Sequence, residues 1–272
     1  MTLVHIIWQL LPVRWKKHLI RTFYNYVSSK DKDGVLTFLN YGYAPATAQV
    51  DDTFNRERAQ LYEEVASAVP LAGKKVLEVS SGRGGGADYI MRANRPASLV
   101  GVDISSSAVA FCRARYRRPG LSFSVGDANA LPFPPQQFDA VLNIEASHNY
   151  GSLESFVAEI KRVLNPGGYL LFADMRPVAA VPALRQQLSP PGMAIVTERN
   201  ITANVVRALD INSSNTTAFV ERMAFWPFRG FLRKFAGVQG TGIYNGLKAG
   251  TIQYWNFTVQ RLEEKITSPS IS

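Results

Sequence analysis

Val76-Leu77-Glu78-Val79-Ser80-Ser81-Gly82-Arg83-Gly84-Gly85-Gly86-Ala87 decides the reading of this chain. An apolar run of strand length passes into a glycine-rich turn, and the turn opens a helix. Glycine tolerates positive φ and places no side chain between backbone and ligand, while the helix start offers free N–H groups. The turn is therefore a place where backbone approaches a ligand. Gly82-x-Gly84-x-x-Ala87 also satisfies the dinucleotide fingerprint, so the loop alone leaves two nucleoside ligands open.

Outward from that turn the pattern alternates. Strands are expected at Lys75 to Ser80, Ser98 to Asp103, Leu121 to Gly126, Phe138 to Asn143 and Tyr169 to Asp174. Helices fall near Ala87 to Ala93 and at Ser106 to Arg115. A further helix carries Leu153, Phe156, Val157, Ile160, Val163 and Leu164 on one face, with Ser152 as its cap and Pro166-Gly167-Gly168 as its stop. Such repetition needs right-handed crossovers and a doubly wound, mainly parallel α/β sheet, with ligands at the carboxyl ends of the strands. Before the core, Asn55 to Val69 reads as a helix. Phe38-Leu39-Asn40-Tyr41-Gly42-Tyr43 is too aromatic for a bare linker and should be covered. After Arg176, helices are expected around Pro182 to Leu188, Ile201 to Leu209 and Thr216 to Met223, then a glycine-rich stretch and a closing strand from Thr251 to Leu262. The expected organisation is an N-terminal helical extension and lid over 1–53, a Rossmann-like core over 54–175, a substrate cap over 176–250, and a closing strand and tail over 251–272.

Three acids fall at strand ends. Glu78 lies just before the turn, where it would repel a pyrophosphate but attract the ammonium and sulfonium of S-adenosylmethionine (SAM). Asp103 ends the second strand about 20 residues beyond the loop, where a carboxylate accepts from ribose hydroxyls. Asp127, in Val125-Gly126-Asp127-Ala128 with Leu131-Pro132-Phe133 behind it, suits an adenine edge and ring packing. Glu78 thus argues against a nicotinamide dinucleotide and for SAM.

Taken together with Asn143-Ile144-Glu145-Ala146-Ser147-His148, Leu164-Asn165-Pro166-Gly167-Gly168 and Gly237-Val238-Gln239-Gly240-Thr241, these stretches resemble the class I SAM-dependent methyltransferases. They are most similar to the mycobacterial phthiotriol/phenolphthiotriol dimycocerosates methyltransferase group and related lipid or natural-product O-methyltransferases. The resemblance covers most of Phe38 to Trp255. It departs from the class pattern at Ser80, which replaces the first glycine of the loop and should alter the turn. The resemblance implies that Glu78 and Gly82 meet the methionine end, with Gly84 in the same loop. Asp103 and Ile104 would take the ribose side, Asp127 and Ala128 the adenine, and Asn143 would wall the transfer site. Asn40 and Tyr41 would close over the cofactor. The implied reaction is O-methylation of a hydrophobic hydroxylated small molecule, with N- or C-methylation, nucleic-acid methylation and a non-catalytic SAM-binding protein as the alternatives.

His148 follows the fourth strand, near the place a SAM methyl should reach, and a neutral imidazole there can take a hydroxyl proton. It is the candidate general base, and Glu145 is the next. No histidine and carboxylate spacing suggests a metal site, so no metal is expected.

Bulk properties set the limits. The 272 residues are 46% apolar, enough for a real core, and the one cysteine, Cys112, excludes an internal disulfide, which suits a reducing cytosol. Thirty basic against 21 acidic residues give +9 and a pI near 9.7, which favours a polyanionic neighbour. Nucleic acid is disfavoured as that neighbour, because no Asn/Asp-Pro-Pro-Tyr/Phe motif stands after the fourth strand. The apolar opening from Leu3 to Val13 is too short to span a bilayer and lacks a signal-peptide pattern. Leu3 to Val27 also carries Arg14, Lys16, Lys17 and Arg21, so it reads as amphipathic helix that either packs on the core or docks at the inner face of an anionic membrane. Oligomeric state is left open.

Overall fold

The computed structural model describes residues 36–47, 55–223 and 236–263, with Thr22 and Arg233 besides. The amphipathic segment from Leu3 to Val27 therefore lies outside the described residues apart from Thr22.

Seven strands form one sheet: β1 (Lys75–Val79), β2 (Ser98–Asp103), β3 (Leu121–Val125), β4 (Phe138–Ile144), β5 (Leu164–Pro177), β6 (Met193–Asn200) and β7 (Ile252–Arg261). Their order is β3-β2-β1-β4-β5-β7-β6. The strands β1 to β5 pair in parallel, while β7 runs antiparallel to both β5 and β6. From β1 the chain winds outward through β2 and β3, then returns to β4 on the other side. The order thus reverses between β1 and β4, and a crevice opens there at the strand carboxyl ends.

Helices cover both faces, which is why the central strands read as unbroken apolar runs. On one face α1 (Arg56–Ala66), α2 (Gly85–Ala93) and α3 (Ser106–Arg115) bring Leu61, Val65, Ile90, Val109 and Cys112 against Val76, Leu99, Leu142 and Leu171. On the other, α4 (Leu153–Val163) and α5 (Val181–Leu188) pack Phe156, Val157, Ile160 and Leu184 on Leu77, Val141, Leu170 and Phe257. Caps set the starts of two of these helices: Ser105 Oγ accepts from the Ala108 amide at 3.1 Å, and Ser152 Oγ from the Ser155 amide at 3.1 Å.

Past β5 the structure departs from the expected elements. One helix, α6 (Thr202–Met223), replaces the two helices expected at Ile201 to Leu209 and Thr216 to Met223. The intervening Asp210, Asn212, Ser213, Ser214 and Asn215 have weak helix propensity. Tertiary contacts hold them helical: Asn212 Nδ2 donates to Glu57 Oε2 at 3.0 Å, and Arg58 donates to Thr216 Oγ1 at 3.2 Å, both between α6 and α1. Strand β6 carried no expectation, because as an edge strand exposed over most of its length it lacks the burial alternation that marks a strand. A short helix, α7 (Gly242–Lys248), lies in the glycine-rich stretch and packs on α6, where Tyr244 Oη donates to Asp210 Oδ1 at 2.6 Å.

Candidate active site

A cleft of about 970 Å³, counting the solvent at its mouth, lies at the β1/β4 switch point. Its floor is the glycine turn. Ser80, Gly82 and Gly84 all adopt positive φ, at 62°, 53° and 75°. Gly84 is required on a second ground, since a Cβ there would meet Cys112 Sγ and the Tyr116 ring at 2.8 Å. At Gly86 a Cβ would fall 1.9 Å from Tyr62 Cζ. That close approach lets the Tyr62 hydroxyl reach Glu78, donating to Oε1 at 2.6 Å.

Of the residues expected to hold a cofactor, Gly82, Asp103, Ile104, Asp127 and Ala128 line this cleft, as does Glu145. Asp103 ties strand to loop: Oδ2 accepts from the Gly82 amide and Oδ1 from the Ser105 amide, each at 2.8 Å. Burial raises its pKa, and these two bonds offset only part of the rise. Asp127 Oδ1 accepts from the Asn129 amide at 2.9 Å. Glu78, Gly84 and Asn143 stand behind the lining. Asn143 Nδ2 donates to the Val79 carbonyl at 3.1 Å and to Tyr150 Oη at 2.6 Å, and Tyr150 Oη lies 2.8 Å from Ser80 Oγ. Ser80 thus holds the left-handed conformation of the missing glycine with its side chain bonded to a tyrosine of the cleft wall.

Residues 36–47 form a strap across the turn. The Thr37 carbonyl accepts from the Gly85 amide at 3.1 Å, the Leu36 carbonyl from Arg83 Nε at 2.8 Å, and the Tyr43 amide donates to Glu57 O at 2.8 Å. Phe38, Asn40 and Tyr41 are buried, as their aromatic setting implied. Asn40 lines the cleft. Tyr41 does not, but its amide donates to Glu145 Oε1 at 2.9 Å, joining strap to β4.

Glu145 has φ 51°, uncommon for a residue with a Cβ. Burial pushes its carboxyl up to about 8 against the Tyr41 amide bond. His148 lies on a 3₁₀ turn, Ser147–Asn149, and does not line the cleft, though Asn149 beside it does. Its Nδ1 is 2.8 Å from Asp174 Oδ1 and its Nε2 is 2.9 Å from Asn149 Nδ2. Burial lowers the imidazole pKa, but the Asp174 charge outweighs it and the net shift is upward. Tyr62, Tyr150 and Asp174 were not singled out from sequence as site residues. Only Asp174 carried a readable signal, as a fourth acid near a strand's carboxyl end.

One feature of Glu78 fits a cationic ligand. It is buried, its Oε2 makes no close hydrogen bond among the described residues, and burial pushes its pKa up to about 8 against the Tyr62 bond and the pull of the Ala87 amide. A buried carboxylate with an unfilled acceptor gains from an ammonium. Among the described residues, no group of three or more His, Cys, Asp or Glu side chains is arranged to hold a metal ion.

The sheet order, the glycine turn at its switch point and the strand-end acids define the class I SAM-dependent methyltransferases. The methyltransferase domain family profile matches residues 77–172. A fatty-acid O-methyltransferase of Mycolicibacterium smegmatis is 36% identical over 249 residues, 90% of each chain. A phthiotriol/phenolphthiotriol dimycocerosates methyltransferase of Mycobacterium tuberculosis is 41% identical over 226 residues, 80% of this chain and 83% of that one. The chain belongs to the SAM-dependent methyltransferase family and is an enzyme of that family. Among solved structures, a geranyl diphosphate C-methyltransferase from Streptomyces coelicolor with S-adenosyl-L-homocysteine superposes with a TM-score of 0.69 at 17% identity, covering 91% of this chain and 98% of that one. The [4+2]-cyclase SpnF also gives 0.69, at 19% identity, covering 90% and 96%. The fold alone therefore does not choose the reaction.

Proposed function

We propose that the enzyme methylates an oxygen of a long-chain, hydrophobic hydroxylated acceptor. The observation that carries this reading is the likeness, across 80–90% of the chain, to one relative named a fatty-acid O-methyltransferase and another named for the methylation of phthiotriol and phenolphthiotriol dimycocerosates. SAM supplies the methyl group to the acceptor and leaves as S-adenosylhomocysteine. In this reading Glu78 faces the ammonium, with Gly82 and Gly84 giving it backbone approach. Asp103 and Ile104 take the ribose, Asp127 and Ala128 the adenine, and Asn143 fixes the wall through Tyr150. Asn40 and Tyr41 belong to the strap that closes the site and excludes water. His148 takes the acceptor proton, and Glu145 is the second candidate for that role. Within the stretch 176–250, α6 and α7 serve as substrate cap, since α5 belongs to a core layer and β6 to the sheet.

No described helix is long and apolar enough to cross a membrane. Lipid access is assigned instead to peripheral contact by the basic, apolar segment from Leu3 to Val27, at the cytoplasmic face.

The test is incubation with methyl-labelled SAM and four acceptors: a long-chain fatty acid, a long-chain alcohol, an alkylphenol and RNA. Label is expected in the organic phase, as methyl ether or ester. Label in RNA, or in none of the four while S-adenosylhomocysteine still binds, sinks the proposal.

A further inference from the structure

Asp174, near the carboxyl end of β5, is wholly buried and surrounded by donors. Its Oδ2 accepts from Ser147 Oγ at 2.6 Å and from the His148 amide at 3.0 Å, with the Arg176 guanidinium at 3.1 Å. Its Oδ1 accepts from the Met175 amide at 2.8 Å and meets His148 Nδ1 at 2.8 Å. Burial favours the neutral acid, but the charges of His148 and Arg176 and these bonds outweigh it, holding Asp174 well below the usual carboxylate range. An ionised acceptor at Nδ1 requires the proton to sit on Nδ1. The lone pair then belongs to Nε2, which faces the Asn149 amide group, and Asn149 lines the cleft.

We propose that Asp174 is the positioning residue of the transfer site, holding His148 in the Nδ1–H tautomer so that Nε2 takes the proton of a hydroxyl acceptor. The proposal rests on the reading of His148 as the base. The acceptor O–H bond breaks and its electron pair enters the new oxygen–methyl bond, while the methyl–sulfur bond of SAM breaks and leaves its pair on the sulfur of S-adenosylhomocysteine. The proton forms the Nε2–H bond. The imidazolium later returns that proton to solvent. Asn149 holds Nε2 until the acceptor takes its place. The titratable and charged groups around the ring are Asp174 and Arg176 from β5 and Glu145 just past β4: Asp174 raises its basicity, Arg176 lowers it, and Glu145 adds to the rise only where it is ionised. A carboxylate that fixes tautomer and stabilises the imidazolium gives a base its strength without itself accepting the proton.

Two measurements on the full chain test this. Imidazole ¹⁵N NMR, assigned with His148→Ala against the other two histidines, should show His148 as the Nδ1–H tautomer, titrating above 6.5. An Nε2–H tautomer, or titration at or below 6.5, overturns the proposal. With the long-chain alcohol, Asp174→Asn should lower kcat by about 10²-fold and move the rising limb of the pH profile to lower pH, with S-adenosylhomocysteine affinity retained. A slow His148→Ala beside an Asp174→Asn at the wild-type rate overturns the positioning role and leaves His148 as base. A His148→Ala at the wild-type rate removes the base reading, and this proposal with it. If Asp174→Asn does not fold, the wild-type tautomer and the pH profile of Ser147→Ala, which removes one donor to Asp174 and should lift the limb, decide the matter.

Discussion

Asp103 carries more than one duty, which makes its removal informative. Its oxygens accept from Gly82 and Ser105, so the carboxylate anchors the glycine turn to the end of β2 as well as facing the cleft. Asp103→Ala should weaken S-adenosylhomocysteine binding by about 1.5 to 3 kcal/mol, roughly 10- to 150-fold. Unchanged affinity in calorimetry would refute the ribose assignment. Asp103, like Gly82 and Asp127, was legible because strand ends and glycine turns leave a mark in one sequence. Tyr62 and Tyr150 were not, because their importance is a partner: Glu78 for one, Ser80 and Asn143 for the other. Ser80 was readable only as a departure. A side chain in the left-handed region costs about 1 to 2 kcal/mol, comparable with the hydrogen bond to Tyr150 that accompanies it.

Among the elements, those buried on both faces could be read and those defined by neighbours could not. Strands β1, β2 and β4 and helix α4 announce themselves by apolar runs or by period, because the sheet and both helical layers demand them. Edge strand β6 exists through its pairing with β7, and the middle of α6 through Asn212 and Thr216 bonding α1. The strap shows the mixed case, since its aromatic residues predicted a cover but not that it would join the glycine turn to Glu145. The segment before it is read from charge and apolarity alone. Deleting residues 1–30 should reduce turnover of an acceptor held in anionic vesicles about tenfold more than turnover of a soluble short-chain analogue. Equal losses on both would make the segment a packing element only.

At the scale of the whole molecule, the cleft stores protons that the unfolded chain does not hold. Glu78 and Glu145 are both raised from 4.5 to about 8, chiefly by burial. Between those values the folded protein binds more protons than the unfolded one, so stability contributed at low pH is lost as pH rises. His148, raised above its ordinary value, acts in the same direction above 6.5. The lowered carboxyls, Asp139, Asp174, Glu154 and Glu159, oppose it only below about pH 4.5, where their unfolded forms take up protons. The ligand-free enzyme should therefore melt lower at pH 8 than at pH 5.5, by roughly 5 °C or more, since each raised carboxyl carries on the order of a few kcal/mol. An ammonium beside Glu78 favours its charged form, so saturating S-adenosylhomocysteine should raise Tm more at pH 8 than at pH 5.5 and narrow the gap. Glu78→Gln removes one titrating group and should flatten the ligand-free profile. Calorimetric scans of wild type and Glu78→Gln across pH 5.5 to 8 check both parts. A Tm that stays level or climbs over that range in the wild type, or a Glu78→Gln profile as steep as the wild type's, would show that the cleft carboxyls are already ionised without a ligand.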